Sequence, residues 1–391
     1  MDFKFFFFKY KSKIILFYVI ISFNSYFIFN SSFQKKILLI NEIKEIEKYF
    51  KLCNKEILIE KRNFTNVSNP KISIISPVFN KEKYINRFLR SIENQYFDDI
   101  EIIFIDDKSN DKSVDKIKNS QNEDNRITLI QHKKSKGTLI SRNQGALKSR
   151  GEYLLFVDPD DILTNGTLNH TYNLALKNNY ELIRFNMYEG KRKINMKEIT
   201  DSLKEETTYQ PQLYFHLYNG SGKFEIIDYY LTNKLIKRES FIKSLINIKK
   251  YFLNKFMIDC EDGLINFMLY KTANSLYFTK KIGYYYIKTD DSITKNKEFN
   301  KRLKSNFLYL YYLFTNTKNN NIEKKFANYY FLSVYNLHKK EFNKIFSDRK
   351  KKFKFYLKVI NKYLHCEFIS LKLKQILKNL ESIIKKDYDE K

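Results

Sequence analysis

Between Lys71 and Phe185, short apolar runs alternate with stretches in which apolar residues recur every three or four positions. The runs Lys71–Pro77, Ile100–Ile105, Ile127–Ile130, Tyr153–Val157 and Leu182–Phe185 read as strands. The intervening stretches Lys81–Gln95, Asp111–Ser120, Thr138–Lys148 and Thr167–Lys177 read as helices. Each strand–helix–strand unit returns to the sheet by a right-handed crossover, so the alternation predicts a mainly parallel, three-layer α/β sheet of Rossmann-like type. Ligands of such sheets gather past the carboxyl ends of the strands. Pro77 to Asn80, Asp106-Asp107 and Asp158 to Asp161 follow three of those ends and therefore share one rim.

The third of these segments is the most charged. Tyr153 to Val157 delivers Asp158, Asp160 and Asp161 into one turn. Three like charges within four positions repel one another unless solvent or a cation intervenes. Mg²⁺ and Mn²⁺ take carboxylate oxygens and leave coordination positions for substrate phosphates. An Asx/Pro turn that caps the next helix accounts for the same residues without a ligand. A second acidic group, Asp259, Glu261 and Asp262, precedes the apolar stretch Leu264 to Leu269. Helix-capping is the structural explanation there, because carboxylates are stabilised by the unpaired amides of a helix N-terminus.

The 71 Lys and Arg against 44 Asp and Glu give a net charge of +27, which raises nucleic acid, anionic lipid and phosphorylated substrates as partners. The basic residues are spread along the whole chain, and no zinc-finger spacing, aromatic RNA-binding motif or recognition-helix signature accompanies them, so no nucleic-acid partner is expected. Cys53, Cys260 and Cys366 are far apart and define neither a disulfide framework nor a metal cluster.

At the N-terminus four lysines precede Ile14 to Ile21, and apolar character resumes through Phe29. This pattern predicts a short basic tail and signal anchor over 1–34, with a cleaved signal or an interfacial segment as the alternatives that its polar interruptions leave open, followed by an amphipathic stem over 35–69. The expected location is a single-pass membrane protein with its catalytic part in the lumen of the Golgi or endoplasmic reticulum. The inverse orientation would face the cytosol. Beyond 296 the chain reads as helices joined by Asn/Lys-rich turns, a C-terminal helical region over 296–391.

Ile75-Ser76-Pro77-Val78-Phe79-Asn80, Phe104 to Ser109, Gly137 through Arg142-Asn143-Gln144-Gly145, and Phe156 to Asp161 occur in that order. Asn233-Lys234-Leu235, Glu261-Asp262, and Tyr284-Tyr285-Tyr286 with Ser292-Ile293-Thr294 follow. Together, over about 70 to 295, these motifs resemble family 2 glycosyltransferases. The resemblance implies the GT-A fold, with a nucleotide-sugar-binding half over 70–188 and an acceptor half over 189–295. It also implies a nucleotide-sugar donor, a divalent metal (Mn²⁺ or Mg²⁺) and inversion at the anomeric carbon.

Carried over residue by residue, the resemblance puts the nucleotide near Pro77, Phe79, Asn80, Asp106, Asp107, Gly137, Arg142 and Asp158. It puts the metal on Asp158 and Asp160, and the catalytic base on Asp262 with Glu261 beside it. Phe79 and Lys108 replace the family's usual Tyr and Gly. The Gln-x-x-Arg-Trp motif of processive synthases is absent, so transfer of one sugar to a glycan, glycoprotein or lipid-linked acceptor is expected. The alternative is a catalytically silent relative that binds nucleotide-sugar or glycan without turnover.

Overall fold

The computed structural model describes residues 67–191, 208–209, 230–248, 257, 260–289, 305, 309 and 312. All of them belong to the unit Met1–Ala327. The expected anchor over 1–34, almost all of the stem and most of the C-terminal region lie outside the described residues. Among the described residues, no helix is long and apolar enough to cross a membrane.

The first half follows the alternation: β1 (Ile72–Val78), α1 (Ile85–Glu93), β2 (Ile100–Asp106), α2 (Ser113–Gln121), β3 (Ile127–Gln131), α3 (Thr138–Lys148) and β4 (Tyr153–Phe156). Next come β5 (Ile162–Leu163), α4 (Thr167–Asn178), β6 (Leu182–Lys191), β7 (Thr208–Tyr209), β8 (Lys234–Lys237), α5 (Arg238–Asn247), α6 (Glu261–Thr272) and β9 (Leu276–Lys288). The sheet runs in the order β3-β2-β1-β4-β8-β6-β9-β5, with β7 paired to β9.

Pairing is parallel from β3 through β4, as the crossover helices require. Beyond β4 the expectation of a mainly parallel sheet does not hold. β8 is antiparallel to both β4 and β6, β5 and β7 are antiparallel to β9, and only β6 and β9 pair in parallel. The sheet is therefore mixed. The expectation rested on strand–helix alternation, which stops at β6, and without a crossover helix a strand is free to add in either direction.

The three layers are present. Ile72, Ile74, Val78, Ile102, Phe104, Tyr153 and Leu155 face α1, α2 and α4 in one core, where Phe88 meets Phe104 edge-on with ring centres 5.5 Å apart. On the opposite face Phe156 packs against Phe241 of α5, with ring centres 5.0 Å apart. Each large apolar side chain buried in this way contributes about 1.5–3 kcal/mol. α3 lies so close to the sheet that a Cβ at Gly145 would come within 2.5 Å of Ile75 Cγ2 and 2.7 Å of Ile105 Cδ1. Any larger residue there pushes α3 outward, and with it Arg142 one turn earlier.

β1 lies between β2 and β4, with the chain leaving to opposite sides. This is a topological switch point, the place where open α/β sheets leave a crevice past their strand ends.

Candidate active site

The rim past β1, β2 and β4 collects the predicted donor residues. Phe79, two residues after Pro77, is 43% exposed. Asn80 adopts a left-handed φ of 53°, a conformation Asn tolerates better than most residues. Its N–H donates to Ser109 Oγ (2.9 Å), and its Oδ1 accepts from the Asn110 N–H (2.8 Å), so the loops after β1 and β2 are tied together. Asp106 is buried and accepts from the Ser109 N–H at 3.2 and 3.3 Å.

Asp107 is committed to its own surroundings. It accepts from Ser135 Oγ (2.7 Å), the Lys136 N–H (2.7 Å) and the Gly137 N–H (2.9 Å), and His132 Nδ1 lies 2.7 Å away. His132 Nε2 in turn meets Gln144 Oε1 at 2.6 Å. The carboxylate thereby shapes the loop that leads into α3. Gly137, at φ 88°, occupies a backbone region that side chains rarely adopt, and it opens α3. Gly145, by contrast, serves helix-to-sheet packing.

The acid turn after β4 is held from β9. Asp161 is almost fully buried and accepts from Tyr284 Oη (2.7 Å) and the Ile287 N–H (2.8 Å). Tyr284 Oη also accepts from the Asp158 N–H at 3.2 Å. Burial, reinforced by the charges of Asp160 and Asp158, pushes the Asp161 carboxyl well above the usual carboxylate range. Burial also raises the Tyr284 phenol, with Asp161 adding to the effect. Asp161 is thus the anchor that lets Asp158 and Asp160 remain partly exposed. Asp160 Oδ2 lies 2.5 Å from Lys81 Nζ.

Arg142 joins the two acidic groups. Its Nη2 donates to Asp158 Oδ1 at 2.9 Å, while Nη1 donates to Glu261 Oε1 at 3.2 Å and forms a close ion pair with Asp262. The guanidinium is buried, and the surrounding carboxylates hold its proton more firmly than usual in spite of that burial. Arg142 Nε and both side-chain amide atoms of Asn143 have no partner among the described residues. Buried polar groups left in this state cost free energy that a bound substrate can recover.

Asp262 Oδ2 accepts from the Leu231 N–H at 3.0 Å. The residue that opens α6 is Cys260, in a left-handed conformation, with no side-chain cap. The Asp262 oxygens therefore turn toward Arg142 and the segment before β8. Burial raises the Asp262 carboxyl, with the Arg142 charge opposing it.

Among the described residues no three His, Cys, Asp or Glu side chains converge as a ready metal centre. Asp158 and Asp160 supply hard oxygen donors at one turn, which suits a divalent cation whose remaining ligands come from phosphates. The surroundings also favour one. Arg142, Lys81 and Lys234 stand among five carboxyl groups, so the acids still outnumber the cations among the described residues, and a diphosphate gains from a further positive charge there.

Sequence reading missed three contributors: Asp161 as the buried anchor, Lys81 as the partner of Asp160, and His132 beneath Asp107. The adjacent acids and the Tyr triplet were visible as motifs. Their division into one buried and two open carboxylates depends on β9, more than 120 positions away.

A parallel half whose acid turn faces an acid pair across one arginine places these charges at the switch point of the sheet, where open α/β sheets hold their ligands. Residues 73–245 match the family described as Glycosyl transferase family 2. An uncharacterised glycosyltransferase of Haemophilus influenzae is 32% identical over 212 residues, covering 53% of this chain and 78% of that protein. The GalNAc(5)-diNAcBac-PP-undecaprenol β-1,3-glucosyltransferase of Campylobacter jejuni is 29% identical over 273 residues, 68% of this chain and 82% of that protein. S. aureus TarS 1-349, solved also with UDP-GlcNAc and with UDP, superposes with a TM-score of 0.55 at 17% identity, over 75% of this chain and 80% of its own. The chain belongs to glycosyltransferase family 2 and has its GT-A fold.

Proposed function

We propose that the protein transfers one sugar, with inversion, from a UDP-sugar to a glycan or lipid-linked acceptor. The observation that carries this is the meeting of Asp158, Glu261 and Asp262 on one guanidinium, which sets the donor-side acids and the acid pair at a single site. The TarS complexes with UDP and UDP-GlcNAc support the choice of nucleotide. The names of the C. jejuni enzyme and of the S. aureus poly(ribitol-phosphate) β-N-acetylglucosaminyltransferase TarP, 31% identical over 234 residues, support lipid-linked or polymeric acceptors.

In this mechanism Phe79 stacks on the base, and Asn80 and Asp106 shape the edge of its pocket. Asp107 and Gly137 set the loop that borders the nucleotide. Asp158 and Asp160 would hold Mn²⁺ or Mg²⁺, whose chemistry is to neutralise charge developing on the leaving diphosphate. Asp262 takes the proton from the acceptor hydroxyl as its oxygen attacks the anomeric carbon. The bond from that carbon to the diphosphate oxygen breaks on the opposite face, and the nucleoside diphosphate leaves with the electron pair. Arg142 and the Leu231 N–H keep Asp262 oriented, and Glu261 completes the cage around the arginine.

The test is Asp262→Asn. Transfer falls by about two to four orders of magnitude, the usual contribution of general-base catalysis, while UDP binding measured by calorimetry persists. A folded variant with undiminished transfer contradicts the assignment.

A further inference from the structure

We infer that Lys81 is a built-in counter-cation that occupies Asp160 in the nucleotide-free enzyme and makes metal binding there conditional on the nucleotide. This rests on the proposed metal role of Asp158 and Asp160. The Lys81 ammonium lies 2.5 Å from Asp160 Oδ2, and the two side chains are only 11% and 15% exposed. A cation approaching Asp160 therefore meets a carboxylate already neutralised.

The surroundings let the side chain leave without disturbing the fold. The Lys81 main chain is pinned because its N–H donates to Ser113 Oγ at 2.8 Å. The acid turn has its own support, since Arg87 Nη2 donates to the Asp160 carbonyl and β9 holds Asp161. The Tyr84 ring lies 5.6 Å from Nζ and 5.1 Å from the Arg87 guanidinium, so it flanks the ammonium where it stands. A lysine is a compact charge on a flexible four-carbon stem, suited to moving between anions.

Simply removing Lys81 would leave the Asp160 carboxylate, 15% exposed, without the ammonium that neutralises it, so one cation has to be exchanged for another. A diphosphate provides for the exchange. Its charge draws the ammonium away from Asp160, and its oxygens complete the coordination of a hard cation. Nucleotide and metal then strengthen each other's binding by the same factor.

The test is calorimetry of Mn²⁺ binding to the full chain, alone and with saturating UDP. In the wild type, UDP tightens Mn²⁺ binding about 100-fold, within the range of ordinary site-to-site coupling. Lys81→Met tightens Mn²⁺ binding without UDP by about tenfold and shrinks the coupling by the same factor, whereas Lys81→Arg retains it. Unchanged or weaker Mn²⁺ binding in folded Lys81→Met overturns the inference. So does a wild type that binds Mn²⁺ equally well with and without UDP, a result that needs no variant to fold. Failure of the wild type to bind UDP with Mn²⁺ contradicts the proposed site itself, while coupling that is present but indifferent to Lys81 contradicts only the role of Lys81.

Discussion

The donor side and the acid pair are held by different means. From β1 to β4 the polar groups are anchored largely by the backbone of neighbouring loops: Ser109 on Asp106, Asn110 on Asn80, and Lys136 and Gly137 on Asp107. Glu261 and Asp262 instead depend on Arg142, 119 and 120 positions away in the chain. Local anchoring spreads the donor site over many small contacts, so no single substitution should dismantle it. The acid pair shares one guanidinium, with the Leu231 N–H as a further hold on Asp262, so a change at Arg142 reaches both acids at once.

Arg142→Lys is the strongest way to break this contrast. A single ammonium cannot reproduce the planar fork that meets Asp158, Glu261 and Asp262 together. Misplacement of a catalytic group by about 1 Å costs about 100-fold, so transfer falls by that order, while UDP affinity, which feels the change only through Asp158, falls by less. An equal loss of both, by steady-state kinetics and calorimetry, would show that the two sides are not separable. Phe79→Ala acts on the donor side and is smaller. Loss of one aromatic stacking contact is worth about 0.5–1.5 kcal/mol, a weakening of UDP binding of up to about tenfold, with kcat retained. A fall in kcat without a change in affinity contradicts the stacking role.

The smallest effect sharpens the comparison from the standpoint of stability. Lys108 follows the β2 acids with φ 71°, in the left-handed region that favours glycine. Lys108→Gly should stabilise the fold by about 0.5–1 kcal/mol through relief of that strain, less the added freedom of the unfolded chain. Denaturant unfolding measures it, with transfer unchanged. A destabilised variant means that the side chain contributes more than its backbone costs.

The same contrast explains what was legible in the sequence. The strands from Ile72 to Phe156 and their helices fall where the apolar periodicity put them, because each crossover unit is a local pattern that fixes its own pairing. Phe79, Asn80, Asp106 and the Asp158 turn could be placed on one rim for the same reason. The antiparallel placement of β8 carried no such signal, since Lys234 to Lys237 is only four residues long and its neighbours are chosen by tertiary packing. Nor did spacing reveal that Arg142 would lie between Asp158 and Asp262, or that Lys81 would reach Asp160 across 79 positions. Local sequence sets which charges are present. The fold decides which of them meet.

The pH dependence of kcat/KM tests the central claim most directly, because it reports ionisations of the free enzyme. Asp262 must be ionised to accept the acceptor's proton, and burial raises its carboxyl above the ordinary carboxylate range in spite of Arg142. Activity should therefore fall as pH drops through that raised value. The acid limb should lie above the pH of about 4 expected for an unperturbed carboxylate, and it should vanish from the residual activity of Asp262→Asn. An acid limb at the ordinary carboxylate position, or one that persists unchanged in Asp262→Asn, would contradict the assignment of Asp262 as the base.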